Sequence, residues 1–253
     1  MVLFVRKFSK SFSGIILMLH RRAFCACASA ALVSSFASTN ARAVEAACAV
    51  MTGDRQRALN PDEALARLKA GNERFVAGKT INCDLMQQAR ETSKSQAPFA
   101  AIVSCMDSRV SPELVFDQRI GDVFCTRVAG NFINTDFLGS LEYATKVVGA
   151  RAIVVLGHSD CGAIKGAIDH VKLGNLTATL AHIQPAVAAS KTGGERTSKN
   201  AAFVQTVAET NVRMGMATLT AKSPVIKGLV KAGQLRIVGA MQDLPTGRVS
   251  FLA

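Results

Sequence analysis

The chain has 253 residues, 49% of them hydrophobic and 19% charged, a composition that excludes a disordered polymer and suffices for a sizeable core. A single Tyr and no Trp argue against an aromatic platform for nucleic acid. The formal charge is +12, but Arg6, Lys7, Lys10, Arg21, Arg22 and Arg42 fall in the first 43 positions with no acid among them, which leaves +6 for the rest. Beyond that segment Lys and Arg form no long runs, so a solvated basic surface is expected and no nucleic-acid partner.

Residues 1–43 have the parts of a secretory signal. His20-Arg21-Arg22-Ala23-Phe24 opens an apolar, Ala- and Ser-rich run to about Phe36, and Ala41-Arg42-Ala43 supplies the small residues a signal peptidase reads. Arg-Arg-x-Phe resembles the twin-arginine export signal, which implies a periplasmic or otherwise exported protein with a mature start at Val44. Met18 reads as the true start, because Met18-Leu19-His20-Arg21-Arg22 is a compact basic opening. The apolar run is shorter than the ~20 residues of a spanning helix, so no stable membrane anchor is expected after signal removal.

Residues 44–59 read as a flexible lead-in, and 60–253 as a single α/β domain that begins with a helical arm over 60–78. Asn60-Pro61-Asp62-Glu63 gives that arm an N-cap, a first-position Pro and first-turn acids. Four apolar runs of strand length follow: Phe99–Ser104, Val123–Val128, Ala152–Leu156 and Leu235–Met241. Helical stretches are predicted over 132–149, 162–171, 177–190 and 199–220, with Val249–Leu252 as a short hairpin partner. Near-continuous apolar strands separated by helices predict a mainly parallel central sheet covered on both faces.

Two strand ends carry the chemistry. Phe99–Ser104 runs into Cys105-Met106-Asp107-Ser108-Arg109, and Ala152–Leu156 into Gly157-His158-Ser159-Asp160-Cys161-Gly162. Sites in open α/β sheets form at strand carboxyl ends, so these halves can meet although they are 53 positions apart. Thiolate and imidazole are ligands that zinc favours, and His-x-x-Cys lets two of them reach one ion. Cys125, inside a strand, reads as packing, while Cys48 and Cys83 can pair in an oxidising compartment or remain free.

Cys105-x-Asp107-x-Arg109 followed by His158-x-x-Cys161 resembles the signature of the β-class carbonic anhydrases. The surroundings agree: Gly71-Asn72-x-Arg74-Phe75, Arg127-Val128-Ala129-Gly130-Asn131, Ser140-Leu141-Glu142-Tyr143-Ala144 and the tail Asp243-Leu244-x-Thr246-Gly247. The similarity spans about residues 60–252. It implies a zinc enzyme that converts carbon dioxide reversibly to bicarbonate and a proton through zinc-bound hydroxide. One Zn2+ per chain would be held by Cys105, His158 and Cys161, with water or Asp107 in the fourth position. Arg109 would pair with Asp107 and hold it off the metal, and the Gly162 N–H would face the forming anion. His170 and His182 read as solvent-facing, with proton shuttling as the alternative.

The resemblance further implies a homodimer or homotetramer in which a neighbouring subunit buries the Phe75 side of the arm. Gln242 stands where members often carry Tyr, which with the missing Trp speaks against an aromatic bicarbonate-binding regulatory pocket. Two alternatives accompany the main reading. One is a hydrolase of carbon disulfide or carbonyl sulfide on the same scaffold. The other is a catalytically silent zinc-binding interaction protein, against which the presence of both Asp107 and Arg109 argues, since a purely structural site needs no open position.

Overall fold

The structure, a computed structural model, describes residues 46–191 and 193–252; Met18, Arg21-Arg22-x-Phe24 and Ala41-x-Ala43 lie outside them. Helices α1 (Gly53–Ala58), α2 (Pro61–Val76) and α3 (Leu85–Thr92) lead into strand β1 (Ala100–Ser104). Helix α4 (Pro112–Val115), strand β2 (Val123–Arg127), helix α5 (Thr135–Glu142) with a π-helical continuation (Tyr143–Val148), and strand β3 (Ala152–His158) follow. Then come α6 (Gly162–Ile168), α7 (Gly174–Ala181), α8 (Gln184–Ala189), α9 (Ala201–Lys222), α10 (Pro224–Lys231), β4 (Arg236–Gln242) and β5 (Val249–Phe251).

The strands form one sheet in the order β2-β1-β3-β4-β5, parallel except for the antiparallel β4–β5 pair. Every residue of β1 and β3 is buried, as expected of central strands covered on both faces. Alternation divides the core. Ala101, Val103, Ile153 and Val155 join Ile164, Val207 and Val212 of the helices, and Ile183 of the α7–α8 turn, on one face. Ala100, Ile102, Val154 and Leu156 join Leu65, Leu68 and Phe116 on the other. Fully burying one such branched side chain contributes about 2–3 kcal/mol. Register brings Ser104, the last residue of β1, beside Leu156 of β3, so Cys105 and His158 emerge at the same edge.

Several elements differ from the sequence expectation. The lead-in expected to be flexible is folded where described. Thr52 caps α1, Arg55 donates to the carbonyls of Ala49 and Val50, and Gln56 donates to that of Pro98. A disulfide also joins Cys48 to Cys83, settling the pairing that spacing left open. Arm helix α2 starts with the capping box of Asn60 and Glu63. Its Phe75 is half-buried and packs on the chain's own core beside Gly247. The stretch 177–190 is two helices, because Pro185 stands in the first turn of α8 and cannot donate to a ladder continuing from α7.

Candidate metal centre

Cys105 leaves β1, His158 ends β3, and Cys161 is the N-cap residue of α6. Their ligand atoms lie within 4.8 Å of one another, the one such His/Cys/Asp/Glu group found among the described residues. All three are buried, with 3%, 1% and 1% of their surfaces exposed. The His158 Nδ1–H donates to the carbonyl of Ser159 at 2.9 Å, which fixes the tautomer and leaves Nε2 as the free lone pair. That Nε2 is buried and has no hydrogen-bond partner. The two sulfurs stand 3.9 Å apart. Two thiolates at about 2.3 Å from one tetrahedral zinc would be about 3.8 Å apart, so the donor set fits zinc in kind and spacing.

The electrostatics agree with a thiolate site. The contact with Cys161 and the Gly130 N–H hold the Cys105 thiol well below its usual range against the cost of burial. The same contact, followed by burial, pushes the Cys161 thiol up. Cys125 is different: burial raises its thiol pKa, consistent with a packing residue.

Asp107 does not join the ligand cluster. Arg109 takes both its oxygens: Nε to Oδ1 at 2.9 Å, a terminal guanidinium nitrogen to Oδ2 at 2.8 Å, and the backbone N–H to Oδ1 at 3.0 Å. This bidentate grip is the physical reason the carboxylate stands away from the sulfurs, and it holds the carboxyl far below its usual range. Oδ2 nevertheless stays 4.0 Å from His158 Nε2, beside the ligands. Gly162 opens α6 with free space where a side chain would project. Beyond Arg109 lies a cavity of about 610 Å3 shared with Ser159, Asp160, Val204, Gln205 and Leu244. A larger recess of about 1220 Å3 is lined by Pro61, Arg213 and Arg236, where β4 begins, and so lies away from this chemistry.

Three supporting residues escaped the sequence reading. Arg127, quoted only as motif context, donates to the carbonyls of Cys105 and Asp107 at 3.1 and 2.7 Å and fixes the backbone between them. Gly130 donates to Cys105 Sγ at 3.4 Å. Asn211 of α9 donates to the carbonyl of Gly130 at 2.8 Å. His182, expected to face solvent, is exposed and stacks on Phe132 with ring centroids 4.2 Å apart.

The family described as "Carbonic anhydrase" matches residues 100–249. The chain is 38% identical over 191 residues to carbonic anhydrase 2 of Mycobacterium tuberculosis, covering 75% of this chain and 91% of that protein. It is 36% identical over 198 residues to the carbonic anhydrase of Mycolicibacterium smegmatis, covering 76% and 93%. Among solved structures, the β-carbonic anhydrase CcaA superposes with a TM-score of 0.60 at 25% identity, covering 75% of this chain and 95% of that one.

Proposed function

The chain belongs to the carbonic anhydrase family, in its β class, and on that premise we propose that Cys105, His158 and Cys161 hold the zinc with which it hydrates carbon dioxide reversibly. The observation that carries this assignment is the buried, partnerless Nε2 of His158 facing two sulfurs at chelate spacing. Bound zinc supplies a Lewis acid that makes hydroxide available near neutral pH, as is general for carbonic anhydrases.

The chain's own residues supply orientation. Asp107, kept ionised by Arg109, can only accept hydrogen bonds. It accepts one from the attacking water, so that the oxygen's remaining lone pair faces the carbon of CO2. Arg109 keeps the carboxylate in that position and out of the coordination sphere. The N–H of Gly162, the first residue of α6, would face the bicarbonate oxygen that gains charge. The proton released passes to solvent on the Arg109 side, where that side chain is 55% exposed. Stopped-flow CO2 hydration by zinc-loaded protein and by Asp107→Asn tests this. Normal turnover by the variant would remove Asp107 from the reaction.

We also propose that the protein is exported by the twin-arginine route and works outside the cytoplasm. The Arg21-Arg22-x-Phe24 and Ala41-x-Ala43 patterns support this, as does the Cys48–Cys83 disulfide, since such bonds persist in oxidising compartments. Loading zinc before export would keep Cys105 and Cys161 from oxidation. Replacing Arg21 and Arg22 with Lys should leave uncleaved precursor in the cytoplasm. Export of a form beginning at Val44 despite that change would contradict the route. No helix among the described residues is long and apolar enough to cross a membrane.

A homo-oligomer, dimer or tetramer, completes the proposal. Edge strand β2 is only partly buried, and Leu114, Tyr143 and Val147 are exposed at 65%, 49% and 72%, with Tyr143 packed edge-on to Phe124 of that strand. An open strand edge with apolar neighbours is suited to another copy. Light scattering at micromolar concentration should give at least twice the chain mass; a monomer would contradict it.

A further inference from the structure

We propose that Asn211 is a positioning residue for the metal centre, acting on Cys105 through Gly130; this rests on the reading of Cys105 as a zinc ligand. Asn211 lies on the inward face of α9, whose other buried members there include Val204, Val207, Ala208, Val212 and Leu219. It is 5% exposed. A buried amide on an apolar face is costly unless it is hydrogen-bonded. Its Nδ2 donates to the Gly130 carbonyl, 81 positions away in sequence, at 2.8 Å. Gly130 in turn directs its own N–H at Cys105 Sγ, at 3.4 Å.

The relay needs an outside anchor because of what Gly130 is. Its φ is +83°, and a β-carbon there would lie 2.4 Å from Ile183 Cδ1, so both backbone conformation and packing demand glycine. Glycine is also the residue least able to hold its own dihedrals. The peptide unit that follows it is held at its nitrogen by Asn131 N–H to the Val128 carbonyl at 3.0 Å, and the segment before it by Val128 N–H to the Ser104 carbonyl at 3.1 Å. Asn211 holds that same following peptide unit at its oxygen, through the Gly130 carbonyl. With the unit held at both its N–H and its C=O, Gly130 has less freedom to turn about its own dihedrals, and its N–H stays aimed at the sulfur. A hydrogen bond there draws charge from the thiolate and sets how strongly it donates to the metal. Outer partners of metal ligands commonly change metal affinity by about 10–100-fold.

The test compares cobalt- and zinc-loaded wild type, Cys105→Ser, Asn211→Leu, Asn211→Ser and Leu219→Ala. Leu219 is a fully buried α9 residue outside the relay, so its truncation lowers thermal stability alone. The serine variant keeps a small polar group at the site should leucine prove too bulky to fold. Wild type should show a thiolate-to-cobalt charge-transfer band that weakens in Cys105→Ser. Both Asn211 variants should shift that band and lose about ten-fold or more in zinc affinity, measured by chelator competition. Leu219→Ala should do neither. A wild-type protein without the band would overturn the ligand assignment itself. A normal wild-type band with unaltered affinity and spectrum in the Asn211 variants would overturn only the relay. The relay is overturned equally if Leu219→Ala reproduces their loss.

Discussion

Two pairs of cysteines in this chain meet opposite fates. Cys48 and Cys83, half-buried in the N-terminal region, are covalently joined across 35 positions. Cys105 and Cys161, buried at the strand ends, stand 3.9 Å apart and unbonded. The difference lies in the third partners. Beside the first pair lies a peptide carbonyl, that of Asn82. Beside the second are an imidazole with a free lone pair and an N–H aimed at one sulfur. A cysteine pair with an imidazole lone pair and an N–H beside it, at chelate spacing, is suited to hold a metal; a pair without them is suited to be a staple.

The largest way to break this contrast is to remove a ligand. His158→Ala should lose tight zinc binding and at least about a thousand-fold in hydration rate, with the Cys48–Cys83 bond intact. Zinc content by atomic absorption alongside stopped-flow rates checks it. Full zinc with normal turnover would mean the site lies elsewhere.

Removing the staple should do the reverse. Cys48→Ser with Cys83→Ser should cost about 3–4 kcal/mol of stability, from the loop the bond closes, while zinc content and turnover per folded chain stay unchanged. Denaturant unfolding of the double variant checks this; a loss of zinc there would merge the two pairs into one functional unit.

A smaller effect sharpens what stands beside the metal pair. Arg109→Ala should keep its zinc but lose about 10–100-fold in hydration rate, since Asp107 loses its bidentate partner and returns toward the metal. Arg109→Lys should recover little, for lack of the planar fork. Wild-type activity should climb between about pH 7 and 8.5, around the pKa expected for water on zinc in this enzyme class. An Arg109→Ala variant with full zinc and an unchanged pH profile would remove the guanidinium from its role.

The smallest effect is acid linkage at the same pair. Asp107 is depressed in the folded state, so its contribution to stability is complete above the unfolded carboxyl pKa of about 3.9 and is lost as pH falls below that. The stability gap between wild type and Arg109→Ala should therefore be level above about pH 5 and narrow below pH 4. Comparing the two as metal-free proteins keeps zinc release on acidification out of that difference. A gap that widens in acid would have the wrong sign.

The candidate metal centre was legible because its parts sit in short motifs at the ends of strands: Cys105 with Asp107 and Arg109, His158 with Cys161. Apolar runs announced β1 and β3 for the same local reason. What stayed hidden depends on distance. Nothing in the spacing of Cys48 and Cys83 decides between a bond and two free thiols. Asn211 looks like any polar residue in a helix until the fold brings it to Gly130. Phe75 matched a motif, yet nothing in the sequence placed the tail at Gly247 beside it. The break between α7 and α8 was marked by Pro185 but outweighed by the apolar pattern across it.

If one zinc on Cys105, His158 and Cys161 makes this chain a carbonic anhydrase, activity must follow the filling of that site. Metal-free protein titrated with zinc, with CO2 hydration followed by stopped flow, tests this directly. Activity should rise linearly and break at one zinc per chain, and a parallel titration of Cys161→Ser should stay flat at the uncatalysed rate. Hydration that is independent of added zinc, or that rises equally in the variant, would contradict the assignment.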